Sequence, residues 1–266
     1  MDRTKLPFLI LALMMITSAI AMAIVPTGTT TAAQTSDGWQ YDLNVDGDEA
    51  TITGYTGYDN TGLGNTVAIP GSILVGDADI PVTALASNLQ FTNKNSIYHI
   101  IIPSSVTTIG TSAFSWFTSL RSVTLGSGVA AIGEGAFEVT NIIEFVVNAA
   151  NPYYSSVEGA LCDKAGTTLI LCPPGATGPY IIPESIEAIG DGAFEYLRSP
   201  SSIVLNDKII AIGASAFSGL IGLNSITIGA SVASIDTSAL NIFQLAEIKV
   251  DERNMNFSRE EGVLYN

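Results

Sequence analysis

Short apolar runs recur along the chain: "IYHIIIP" at 97–103, "LRSVTLG" at 120–126, "GPYIIP" at 178–183, "SSIVLN" at 201–206 and "LNSITIG" at 223–229. Each alternates apolar with polar residues and favours β-branched side chains, which predicts a short strand with one face buried. A second pattern follows: "TIGTSAFS" at 108–115, "AIGEGAFE" at 131–138, "AIGDGAFE" at 188–195, "AIGASAFS" at 211–218 and "SIDTSALN" at 234–241. Its Ile falls at Ile109, Ile132, Ile189, Ile212 and Ile235, with spacings of 23, 57, 23 and 23, so the long interval hides one further turn. A period near 23 with a short strand in each predicts a leucine-rich-repeat solenoid. Its expected parts are one short parallel β-strand per turn, short helical or 3-10 turns, a β-hairpin insert and an N-terminal β-hairpin cap.

Each repeated position has a physical role. Val123 and Leu125, Ile203 and Leu205, and Ile226 and Ile228 are alternate strand residues that should point into the coil. Gly110, Gly133, Gly190 and Gly213, replaced by Asp236 in the last copy, suggest a bend with positive φ. Ala113, Ala136, Ala193, Ala216 and Ala239 are small, as close stacking requires. Phe114, Phe137, Phe194, Phe217 and Leu240 should form a buried spine with one side chain per turn.

The hidden turn is "FVVNAANPYYSSVEGALCDKAGTTLILCPPG" at 145–175. Its front half returns at 248–266, where Asn254, Phe257, Ser258, Gly262 and Leu264 match Asn151, Tyr154, Ser155, Gly159 and Leu161. The first copy continues into a predicted hairpin around "KAGT". The second stops at Asn266, so the expectation is a truncated array or, alternatively, an open C-terminal edge. In the hairpin register Cys162 faces Leu169, and Cys172 falls opposite Gly159 on the other sheet face. That separation predicts two buried free thiols.

Composition adds a destination. "MDRTK" followed by the uncharged apolar run at 6–25, with "AMA" at 21–23, predicts an export leader over residues 1–23, with an alternative end at 33. An uncleaved membrane anchor is the competing reading. A Thr/Ala-rich spacer at 24–38 follows, ordered structure should begin near Trp39, and the cap with a first irregular turn fills 39–96. The array proper is then 97–266. The net charge is −15, and losing Asp2, Arg3 and Lys5 with the leader would leave the chain no less acidic. Such a field disfavours nucleic acid and anionic membrane.

"IPSSVTTIGTSAF", "IPESIEAIGDGAF" and the "NPYYSSVEGAL…TTLILCPPG" insert resemble the BspA-type leucine-rich repeats of bacterial and archaeal surface proteins. "TITGYTG" at 51–57, then "VAIP" and "IPVTAL", resembles the opening of such arrays. The resemblance implies a secreted or surface-displayed binding module, linked with adhesion, without catalysis. Cys162 and Cys172 depart from it by standing where aromatics are expected.

Candidate chemistry is sparse. His99, the single histidine, should lie on the solvent side of its strand, and no Ser-His-Asp set or metal-ligand spacing is visible. The chain therefore reads as a non-enzyme without cofactors, and a carbohydrate-active enzyme built on two carboxylates is a distant rival. Asp42, Asn44, Asp46, Gly47 and Asp48 match the first half of a calcium loop, but Thr53 stands where its bidentate Glu belongs. A hairpin turning at Asp46-Gly47 is the stronger reading. "NFS" at 256–258 is a glycosylation sequon.

The expected binding face is the outward side of the strands: His99 and Ile101, Ser122 and Thr124, Glu144 and Val146, Pro179 and Ile181, Ser202 and Val204, Ser225 and Thr227, Glu247 and Lys249. Its central column, from Ile101 to Lys249, is mostly β-branched and poor in charge. Such a column suits strand propensity alone, or an extended surface for a protein or cell-surface ligand. The expected function is adhesion or protein binding by a secreted or surface-held monomer. Its rival is a passive spacer of the cell envelope.

Overall fold

The computed structural model describes residues 33–34, 37–57, 61–197, 199–242, 245–260 and 263–265. The expected leader and most of the spacer lie outside them. Turns of a β coil stack in parallel, as the period predicts, but each regular turn contributes two strands. The first belongs to the face: His99–Ile101, Ser122–Leu125 and Glu144–Val147 pair in parallel, with Thr66–Ala68 at the outer edge. The second holds the Ile of the Ile-Gly pair. Thr108–Ile109 pairs with Ala131–Ile132, and Ala188–Ile189, Ala211–Ile212 and Ser234–Ile235 pair in turn. Two residues are too few for alternation to register, so the sequence pattern hides this strand. The segments after it are hydrogen-bonded turns, and a 3-10 turn occurs at Lys94–Ser96.

The Ile-Gly glycines are needed for proximity rather than for positive φ. Gly133 N–H donates to Ile109 O at 2.8 Å, and Gly110, Gly190 and Gly213 donate likewise to Leu85, Leu169 and Ile189. A Cβ on Gly133 would lie 2.6 Å from the Gly110 carbonyl carbon and 2.8 Å from the Thr111 Cα, both in the backbone of the turn before. Positive φ falls two residues later, at Ser112, Gly135, Gly192 and Ser215. Asp236 is not in the left-handed region either. The bend and the tight contact are separate features that the repeat places side by side.

The Phe spine forms, but in two pieces. Phe114 and Phe137 stack at 5.8 Å, and Phe194 and Phe217 at 5.0 Å. These rings belong to different hydrophobic clusters, one running from Trp39 to Leu161 and the other from Ala160 to Ile242. Leu240 is half-buried at the end of the second. The insert lies where the clusters meet.

At the N-terminal edge, Trp39–Leu43 and Ala50–Tyr55 form the expected antiparallel hairpin, with Leu43 opposite Ala50. Ala33–Gln34 pairs onto it, so structure begins earlier than Trp39. The hairpin joins the second sheet through Ala78–Phe91. Trp39 stacks on Tyr55 at 4.2 Å, and Phe91 packs against both rings. The apolar interior of the first turn is closed in this way.

In the insert, Tyr154–Val157 pairs antiparallel with Ala160–Asp163, which pairs with Thr168–Leu171. The last of these joins Ala188–Ile189 in parallel, so it supplies the second-sheet strand of the hidden turn. Cys162 faces Leu169 as expected, but a bulge then sets Leu161 opposite Leu171. One extra residue changes the parity. Both cysteines therefore enter the same buried cluster rather than opposite faces. They are free thiols. A diagonal step across a pair of strands is about 7–8 Å, beyond the Cα reach of a disulfide at about 4.4–6.8 Å.

Candidate functional site

The parallel face strands hold alternate residues in register, so each outward side chain stacks on its equivalent in the next turn. His99, Ser122 and Glu144 form one row, and Ile101, Thr124 and Val146 the next, with Ile100, Val123 and Phe145 buried behind them. The same order continues with Pro179 beside Ser202, Ile181 beside Val204, Ser225 beside Glu247 and Thr227 beside Lys249. Three aliphatic members are open to solvent: Val146 at 43%, Ile181 at 68% and Val204 at 49%. His99, Glu144, Thr227 and Lys249 are exposed as well, whereas Ile101 and Thr124 are half-covered. Ser122 departs from expectation, being 7% exposed. Its short side chain sits in mid-sheet between the larger His99 and Glu144 and is shadowed by them.

The face is also interrupted, which the strand pattern does not reveal. Phe145 N–H donates to Gly159 O at 2.8 Å. The turn of the insert therefore occupies the edge where the next face strand would pair. Among the described residues the face strands fall into a four-stranded sheet ending at Glu144–Val147, then the pairs Thr177–Ile181 with Ser199–Val204 and Ser225–Ile228 with Glu247–Val250. Ile181 and Val204 border a recess of about 300 Å³, rimmed by Glu184 and Asp207.

The calcium candidate is a self-bonded turn. Asn44 Oδ1 accepts from the amides of Asp48 and Glu49, and its Nδ2 donates to Asp48 Oδ1 at 2.8 Å. Gly47 takes the positive φ of the turn. Asp42, Asn44, Asp46 and Asp48 are thus arranged around a hairpin loop. Among the described residues no three His, Cys, Asp or Glu side chains are grouped to hold a metal ion. The thiols are poor nucleophiles: burial, then the neighbouring Asp163 charge, pushes Cys162 up to about 12, and burial raises Cys172 as well.

Two features escaped the sequence reading. Asn151 is fully buried: its Nδ2 donates to Gly126 O at 3.0 Å and Val129 O at 2.9 Å, and its Oδ1 accepts from the Tyr153 and Tyr154 amides, both at 2.8 Å. Asn254 repeats all four bonds one copy later, on Gly229, Val232, Asn256 and Phe257. Asn206 brackets Pro183 O and Ile186 O in the same way. The matched Asn151 and Asn254 were the available signal, though their bonding was not readable from it.

The second feature is acidic. Tyr196 and Glu195 meet Glu134 and Glu138 across the joint between the two halves, and the Tyr196 hydroxyl lies with Glu138 over Gly135. Burial raises the Glu195 carboxyl; the Tyr196 hydrogen bond opposes this, and the charges of Glu134 and Glu138 add to it. A carboxyl raised on folding favours the protonated form, so its charge costs stability as pH rises through the folded value. Glu195→Gln should therefore raise the thermal midpoint at pH 7. The gain should fade as pH is lowered below the ordinary Glu value of 4.5. Melting curves across that range check it, and a gain of constant size would refute the assignment.

A model of the BspA type leucine rich repeat region matches the chain in six copies, over residues 86–156 and 179–261. Among solved structures, the fold is similar to a leucine rich cell surface protein from Faecalibacterium prausnitzii. That match has 26% identity and a TM-score of 0.49, and covers 89% of this chain and 58% of the other. The chain thus spans less than two thirds of that protein's length. The pneumococcal vaccine antigen PcpA matches at 18% identity and a TM-score of 0.41, covering 84% of this chain and 82% of the antigen. A leucine-rich repeat protein from Eubacterium ventriosum matches at 19% and 0.39, covering 84% and 73%. No curated protein matches the chain.

Proposed function

The chain belongs to the BspA-type leucine-rich repeat family, and from that premise we propose that it is a secreted or cell-surface module that binds a protein ligand through its sheet face. The observation that carries this reading is three aliphatic side chains, Val146 at the edge of the first sheet and Ile181 and Val204 on the next strand pair, left open to water on short strands held by parallel pairing. A stability requirement alone would bury such groups or replace them with Thr, as at 124 and 227. A rigid surface also loses little conformational entropy when a partner docks. Membership of the BspA-type family supports the location. Catalysis gains no support from the recess, because Glu184 and Asp207 are both exposed and a general acid needs a more enclosed carboxyl.

The test replaces Thr124, Val146, Ile181 and Val204 together with Asp and compares capture of surface-exposed proteins by wild type and variant. All four positions face outward, so the fold should persist, with circular dichroism as the check. A partner held by wild type and lost by the folded variant is the expected outcome. Retention by both would move binding elsewhere, and capture by neither would favour the spacer reading.

A further inference from the structure

Resting on that reading, we infer that the recess beside Ile181 and Val204 takes a basic protein segment, with an aliphatic side chain on these two residues and a Lys or Arg between Glu184 and Asp207. Ile181 and Val204 are directly paired across neighbouring strands. Glu184 and Asp207 occupy equivalent positions just past those strands, and both are exposed. The loops that carry them are braced, because Asn206 Nδ2 donates to Pro183 O at 2.8 Å and to Ile186 O at 3.2 Å. The backbone that carries both carboxylates is therefore held in place beside an apolar floor.

The charge is concentrated at these two turns: equivalent positions carry Ser104, Ser127 and Ala149 in earlier turns and Ala230 in the next, and acid returns at Glu252 in the turn after that. Glu184 has no ion-pair partner among the described residues. Asp207 is already approached by a guanidinium of this chain: Arg253, anchored on Asp251, reaches Asp207 Oδ2 at 3.6 Å. That contact is long and exposed on both sides, so an incoming cation shares Asp207 with Arg253 at little cost. The net charge of −15 would draw a cationic partner towards the surface, and the aliphatic floor then selects its neighbouring side chain.

An extended segment presents alternate residues on one side, so the probe is a fluorescein-labelled peptide of sequence Ser-Val-Ser-Lys-Ser-Val-Ser-Lys. Its counterpart has Glu in place of Lys. Fluorescence anisotropy with the full chain should show binding of the Lys peptide alone. The double variant Glu184→Gln, Asp207→Asn should weaken it by about fivefold to tenfold, as expected for two exposed charge pairs. A control variant, Glu134→Gln with Glu138→Gln, removes the same charge elsewhere and should leave binding unchanged.

Equal binding by the recess variant and wild type, or equal weakening by the control, would overturn the inference, because attraction would then be diffuse. Binding of the Glu peptide at the same strength would overturn it too. A partner captured by the sheet face but indifferent to Glu184→Gln, Asp207→Asn would leave the broader reading standing and sink this one. Lys-peptide binding that needs both carboxylates, with no partner held by the sheet face, would do the reverse.

Discussion

Asn151→Ala lowers stability by about 3–5 kcal/mol, because it strands two buried carbonyls and two part-buried amides, at about 1–3 kcal/mol for each group that finds no substitute. The groups are Gly126 O, Val129 O and the Tyr153 and Tyr154 N–H. They belong to different turns, so the loss also unlinks the insert from the turn before it. Repeat arrays are bound by neighbour interfaces, and the second half should therefore melt ahead of the first. A drop of roughly 10 °C in the midpoint is expected. Amide exchange should show early opening around 126–129 and 153–154. Asn254→Ala makes an internal comparison: its two carbonyl bonds are only part-buried and its Asn256 amide bond is exposed, so water can replace them and the loss should be smaller. Equal losses at the two sites, or a loss under about 1 kcal/mol at Asn151, would show that burial does not govern the bracket.

Gly133→Ala is the second large effect, from a single methyl group. Its Cβ would meet the Gly110 carbonyl carbon at 2.6 Å and the Thr111 Cα at 2.8 Å, both backbone atoms. Those atoms cannot yield alone, since Gly133 N–H is bonded to Ile109 O and Ala131–Ile132 is paired to Thr108–Ile109. The turns must separate or the ladder must break, at a cost of about 3 kcal/mol by analogy with overpacked cores. Gly47→Ala is the contrast, with nothing within 4 Å of its Cβ but a φ of +73°. It should cost only about 1 kcal/mol, as backbone strain. Urea unfolding of the two variants separates the mechanisms. A Gly133→Ala loss no larger than that of Gly47→Ala would mean that the stack can dilate.

The outward sheet face illustrates how far a pattern reaches. Alternation placed Val146, Ile181 and Val204 outward correctly, because a strand has only two sides. It misplaced Ser122, whose exposure depends on the size of the neighbours His99 and Glu144 in other turns. It also implied one continuous column, whereas the Phe145–Gly159 bond ends the first sheet. Cys172 shows the same limit in miniature, since one bulged residue between the partners of Leu161 and Cys162 moved its thiol to the other face.

By itself, the sequence determined the repeat, the solenoid, the hidden turn, the capping hairpin and the inward Phe residues. These follow from local periodicity and side-chain type, which each turn states afresh. Only the tertiary structure decided the second strand of each turn, the role of the Ile-Gly glycines, the Asn brackets and the recess at Glu184 and Asp207. Those depend on what stands one turn away, 20 or more residues along the chain, where hydrogen-bond partners and the room for a methyl group are set by stacking.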